Sequence, residues 1–91
     1  MTAAHRATVK IINQKGLHAR ASAKIVEAAA RFQSRITISK DGQRVDARSI
    51  MGLMMLAANS GSEIAIEADG PDAEAALAAV VALARAKFGE E

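Results

Sequence analysis

His18, one of the chain's two histidines, stands two residues after Gly16 and two before Arg20. This grouping suits the handling of an anion. An imidazole can hold a phosphoryl group on a ring nitrogen, a guanidinium can balance its charge, and glycine lets the backbone turn so that the ring faces outward. The chemistry also needs a helix that begins at the histidine, because the unpaired amides and partial positive charge of a helix start receive anions. A histidine is a weaker helix cap than Ser, Thr, Asp or Asn, so its presence there suggests a chemical purpose.

The sequence predicts that helix over residues 19–32. Ser22, Ile25, Val26, Ala29 and Phe32 recur at spacings of three and four, while Arg20, Lys24, Glu27 and Arg31 fall on the other face. Residues 4–12 alternate as a strand, and 13–17 form the loop that delivers His18. Residues 35–40 and 43–47 read as a hairpin around Asp41-Gly42, a strong two-residue turn signal. Ser49 opens a short apolar helix at 50–58, and Gly61 is expected to serve its left-handed end. A strand at 63–68 and a helix at 72–88 complete the order β-α-β-β-α-β-α, an α+β fold with one face of the sheet under the helices.

Composition narrows the chemistry. Ninety-one residues predict a single domain over 1–91, with a core of Ile, Val, Leu, Met and Ala. The absence of cysteine excludes disulfides, thiolate metal sites and cysteine nucleophiles, and two histidines make no metal site of the usual kind. No cofactor or metal is expected. Residues 1–48 carry ten Lys/Arg against three Asp/Glu, and residues 49–91 carry two against seven. Lys15, Arg20 and Lys24 concentrate the positive half around His18, which suits acidic partners. No tyrosine or tryptophan provides a stacking platform, so nucleic acid is not an expected partner. Without a secretion signal or a long apolar run, the expectation is a cytoplasmic monomer that does not insert into membranes.

Gly16-Leu17-His18-Ala19-Arg20-Ala21 resembles the active-site signature of the HPr/NPr family, the histidine-containing phosphocarriers of the bacterial phosphotransferase system. Arg48-Ser49-Ile50-Met51-Gly52-Leu53-Met54 is similar to that family's regulatory serine and following helix. The resemblance covers essentially the whole chain. It implies an open-faced β-sandwich, a four-stranded antiparallel sheet with three helices packed on one face. It implies a stoichiometric carrier, not an enzyme. His18 would accept a phosphoryl group on Nδ1 from enzyme I and pass it to a histidine of a IIA-type component. Arg20 would stabilise the group, and the backbone of Ala19, Arg20 and Ala21 would bind it. The family usually has proline where this chain has Ala21. The alanine-rich stretch 75–83 resembles the nitrogen-related branch.

Ser49 is expected to cap its helix, and the resemblance adds regulatory phosphorylation by HPr kinase/phosphorylase. Lys15, Lys24, Ile50, Met51 and Met54 are candidate docking residues, whereas Leu53 and Leu56 are assigned to the core. His5 lacks a helix start or a nearby glycine turn and reads as solvated. Two alternatives compete. A regulatory docking module of the same fold, controlled through Ser49 and without carrier activity, would need neither His18 nor Arg20. A small phosphatase would need a water-positioning group, for which Asn13 is the only close candidate.

Overall fold

The computed structural model describes residues 4–90. It contains strands β1 (His5–Lys10), β2 (Arg35–Lys40), β3 (Gln43–Asp46) and β4 (Glu63–Asp69), and helices α1 (Ala19–Ala29), α2 (Ile50–Met55) and α3 (Ala73–Arg85). A short 3-10 turn, Lys87–Gly89, follows α3. All strand pairs are antiparallel, in the order β1-β4-β2-β3.

One face of the sheet carries Val9, Ile36, Ile38, Ile64, Ile66 and Ala68, and these are buried beneath the helices. The other face is open and polar. There Glu67 on β4 accepts from Arg6 on β1 at 3.4 Å and from Arg44 on β3 at 2.6 Å. The Asp41-Gly42 turn has positive φ at both residues, 51° and 84°, as a tight hairpin with a right-handed strand twist requires.

Tertiary contacts trim the predicted helices. α1 stops at Ala29, short of residue 32, and the Arg48 guanidinium donates to the carbonyls of Ala29 and Phe32 at 3.2 and 2.6 Å. A cation thus satisfies free carbonyls at the helix end. At the start of α3, Asp72 accepts from the amides of Gln33 and Ser34, both at 2.9 Å, and from the Ser34 hydroxyl. The hydroxyl bond first and the Gln33 amide next hold this carboxyl below its ordinary range. The turn into α3 is thereby tied to the end of α1.

α2 ends at Met55, and the first left-handed residue beyond it is Ala57, with φ 53°; Gly61 is left-handed as expected, at φ 92°, but stands further from the helix end. Gly61 donates its amide to the Ile11 carbonyl at 2.7 Å. An L-residue in that conformation is strained by about 1–2 kcal/mol, and the Ala57 side chain is exposed. Ala57→Gly is therefore expected to stabilise the fold by about 1 kcal/mol, a rise of about 4–8 °C in Tm. A thermal melt checks this, and an unchanged or lower Tm contradicts it.

Candidate functional site

The loop before α1 is set by Gly16. Its φ is +66°, a conformation L side chains rarely adopt, and its Cα faces the Ala58 carbonyl so closely that a Cβ would lie 2.4 Å from that oxygen. Leu17 then donates its amide to the same carbonyl at 2.9 Å. These contacts aim the chain so that His18, extended at φ −78° and ψ −178°, becomes the N-cap of α1. The first intrahelical bond runs from the Ser22 amide to the His18 carbonyl at 2.9 Å. The Ala19 and Ala21 amides have no intrahelical partner, as at any helix start.

The two ring nitrogens of His18 have different partners. Nδ1 accepts the Arg20 backbone amide at 3.2 Å. An acceptor nitrogen carries a lone pair, so the proton of the neutral ring sits on Nε2 and is donated to the Glu90 carboxylate. The Nδ1 lone pair is thus held among the free amides of the helix start. Side-chain exposure is 27% for His18 and 21% for Glu90, so the ring is neither sealed in nor fully solvated.

Glu90, which the sequence reading did not single out, is the carboxylate bonded to the His18 ring. It reaches the ring because three successive residues, Lys87, Phe88 and Gly89, are left-handed at φ 56°, 55° and 79°. This reversal folds the segment after α3 back across the start of α1. Phe88, 1% exposed, anchors it in the core. The Lys24 ammonium donates to the Phe88 carbonyl. The buried amide of Asn13 donates to the Gly16 carbonyl at 2.8 Å and to Glu90 Oε1 at 3.1 Å. The bond from His18 first, then the bond from Asn13, holds the Glu90 carboxyl below its ordinary range, and the Lys15 charge adds a little. Phe88-Gly89, an aromatic residue followed by a glycine beyond a helix, was the one available sign of a reversal.

The other candidates divide into two places. Arg20 is exposed one helical step from the ring, and its guanidinium has no hydrogen bond or ion pair among the described residues. Ala19 is exposed, Ala21 is buried and Lys15 is exposed in the loop. Lys24 is half-buried, committed to Phe88. Ser49 caps α2, its Oγ accepting the Gly52 amide at 3.0 Å. Its neighbour Arg48 is fastened to the end of α1 opposite His18. α2 then runs back until Ala58 meets the Gly16-Leu17 loop. Along it Ile50, Met51 and Met54 are 40%, 71% and 42% exposed, and Leu53 and Leu56 are buried. Met55, at 70%, is a further exposed apolar residue of α2, and Ile12, at 43%, is exposed just after β1.

The family model described as the PTS HPr component phosphorylation site matches residues 5–86. A phosphocarrier protein HPr of Cupriavidus necator is 54% identical over 80 residues, 88% of this chain and 90% of that protein. A phosphocarrier protein NPr of Shewanella violacea is 44% identical, covering 90% of each. Among solved structures, HPr from Thermoanaerobacter tengcongensis superposes with a TM-score of 0.92 at 44% identity, covering 96% of this chain and 98% of that one. A capped, half-exposed histidine on a sheet of this topology is thus found in a chain that belongs to the HPr family of phosphotransferase-system phosphocarriers.

Proposed function

We propose that His18 is the phosphoryl acceptor, that enzyme I charges it and that a histidine of a IIA-type component receives the group. The observation that carries this reading is the asymmetry of the ring, with Nδ1 presented to the helix amides and Nε2 engaged by Glu90. When Nδ1 is phosphorylated, the Arg20 amide exchanges the ring nitrogen for a phosphoryl oxygen. The Ala19 and Ala21 amides and the Arg20 guanidinium, which has no partner among the described residues, supply further positive potential. Phosphoryl transfer needs chiefly positioning and charge balance, so this constellation suffices for a carrier. The phosphatase alternative loses ground, because Asn13 is buried and its amide is already bound to Gly16 and Glu90.

The test combines the protein with enzyme I and labelled phosphoenolpyruvate. Label is expected in an acid-labile phosphoramidate whose 31P resonance reports Nδ1. Label confined to Nε2 or to a serine overturns the assignment.

The exposed thioethers of α2, which leads to Ala58 against the Gly16-Leu17 loop, form with Lys15 and Arg20 the docking surface for partners with acidic rims. Flexible methionines let one patch fit several of them. Ser49 is the regulatory site. A phosphate there meets the start of α2, next to Arg48 at the end of α1 opposite the ring, so it acts on docking and leaves the imidazole untouched. With HPr kinase and ATP, one phosphate is expected on Ser49, and transfer from enzyme I should slow. An unchanged mass removes this role. The nitrogen-related branch is favoured by the alanine-rich face of α3, with Ala75, Ala78 and Ala82 exposed. An enzyme I of that branch should then charge the protein faster than the sugar-uptake enzyme.

A further inference from the structure

We infer that the thioethers of Met51, Met54 and Met55 are sites of reversible oxidation, through which an oxidant of the peroxide class weakens docking while the fold and the phosphoryl site stay intact. The inference rests on the reading of α2 as a docking surface and deepens it. Three observations converge. α2 is six residues long, and three of the six are methionine. Met51 and Met55 are the most exposed large apolar residues of the fold, at 71% and 70%, with Met54 at 42%. Met51 and Met55 stand four residues apart, so they are neighbours on one face of the helix. The chain has no cysteine, tyrosine or tryptophan, so no thiol, phenol or indole competes for the oxidant. α2 holds all the sulfur of the described residues.

The helix does not depend on these side chains. Leu53 and Leu56 anchor it in the core, and the Ser49 hydroxyl caps its start. Oxidation can therefore change the surface without undoing the packing beneath it.

The chemistry is an oxygen transfer. A sulfur lone pair attacks one oxygen of hydrogen peroxide. The S–O bond forms as the O–O bond breaks, and the second oxygen takes the proton of the first and leaves as water. Sulfur loses two electrons and the peroxide gains two. The product is a sulfoxide, which turns a flexible apolar side chain into a polar one. In the free protein the new oxygen is hydrated, because the side chain is already exposed, so folding loses little. A partner that covers the patch must strip that water from the oxygen without replacing its hydrogen bonds, which opposes docking. Methionine sulfoxide reductases, one for each sulfoxide epimer, return the thioether at the expense of a thiol.

The test treats the full chain with hydrogen peroxide. Peptide mass mapping is expected to place oxygen on Met51 and Met55 before Met54, and it keeps Met1, which lies outside the described residues, apart. Charging is then compared with two donors, enzyme I and phosphoramidate, a molecule too small to need a docking surface. With enzyme I, the KM for the oxidised protein is expected to rise about tenfold at unchanged kcat, the effect of about one lost apolar side-chain contact. With phosphoramidate, His18 should be charged at the untreated rate. Tm should stay within about 3 °C of the untreated protein. The two reductases with dithiothreitol should restore the KM. The triple variant Met51→Leu, Met54→Leu, Met55→Leu, compared with its own untreated form, should show no rise in KM after peroxide.

Equal slowing with both donors, or a collapse of Tm, overturns the proposal by placing the effect on the fold or on His18. A peroxide effect that survives in the triple variant overturns it by placing the effect outside α2. Methionines that resist oxidation overturn it and leave the docking surface standing. Sulfoxides on α2 with an unchanged KM overturn the proposal and the docking surface together. Calorimetric titration with enzyme I reads the same loss of affinity without any transfer, so it decides the matter even if His18 is not the acceptor.

Discussion

His18→Ala is expected to accept less than about one-thousandth of the label that wild type takes from enzyme I, while remaining folded. On the proposed reading, loss of the ring removes the nucleophile itself. His5, the second histidine, is exposed on β1, about 17 Å along the strand from Lys10 and from the loop that leads into α1. It has neither a helix start nor a carboxylate partner among the described residues. The fold should tolerate the change, because the ring is a modest cap. Its bond to the Arg20 amide is 3.2 Å long, and replacing a cap by alanine costs about 0.5–2 kcal/mol. A urea titration and the labelling assay on one preparation therefore separate chemistry from folding. Label persisting on the folded variant would move the acceptor elsewhere.

Much of this could be read from residue order, for local reasons. Ile25 and Ala29 occupy buried positions on the stripe that their periodicity marked, and Leu53 and Leu56 are buried as assigned. Gly16, His18 and Arg20 lie within five residues, so a loop and one helical turn suffice to assemble them. The segment after α3 could not be read in this way. Glu90 meets His18 across 72 positions of sequence, and the reversal that brings it there occurs at Phe88, whose left-handed backbone no local propensity favours. Core burial of its ring outweighs that preference. Lys24 was misjudged for a related reason. On a helical wheel it belongs to the solvated face of α1, and only the returning segment gives its ammonium a carbonyl to bind. The end of α2 shows the same limit. Gly61 is left-handed as its local signal requires, yet Ala57, nearer the helix end, adopts the conformation as well, where the Ala58 carbonyl turns to receive Leu17.

That last contact makes Gly16→Ala the most damaging small substitution expected in the chain. Two penalties coincide there. A φ of +66° strains any L-residue by about 1–2 kcal/mol. The added Cβ would also lie 2.4 Å from the Ala58 carbonyl oxygen and 2.9 Å from the Asn59 Cα, and both atoms belong to backbone that cannot swing aside. The loop would have to lift away from the end of α2. It would give up the Leu17-to-Ala58 bond at 2.9 Å and disturb the buried Asn13-to-Gly16 bond at 2.8 Å. Each lost buried bond adds about 1–3 kcal/mol. A destabilisation of at least about 3 kcal/mol is expected, a large part of the stability of so small a domain. Gly42→Ala supplies the control. Its φ of +84° imposes comparable strain, but nothing lies within 4 Å of the new Cβ, so about 1 kcal/mol should be lost there. The difference between the two variants in urea isolates the collision from the dihedral cost, and equal midpoints would show that the α2 backbone yields. Phosphoryl acceptance should fall far in Gly16→Ala even under conditions where it stays folded, because the same loop aims His18. Gly42→Ala should be charged at the wild-type rate, since its turn joins β2 to β3 and takes no part in presenting the ring.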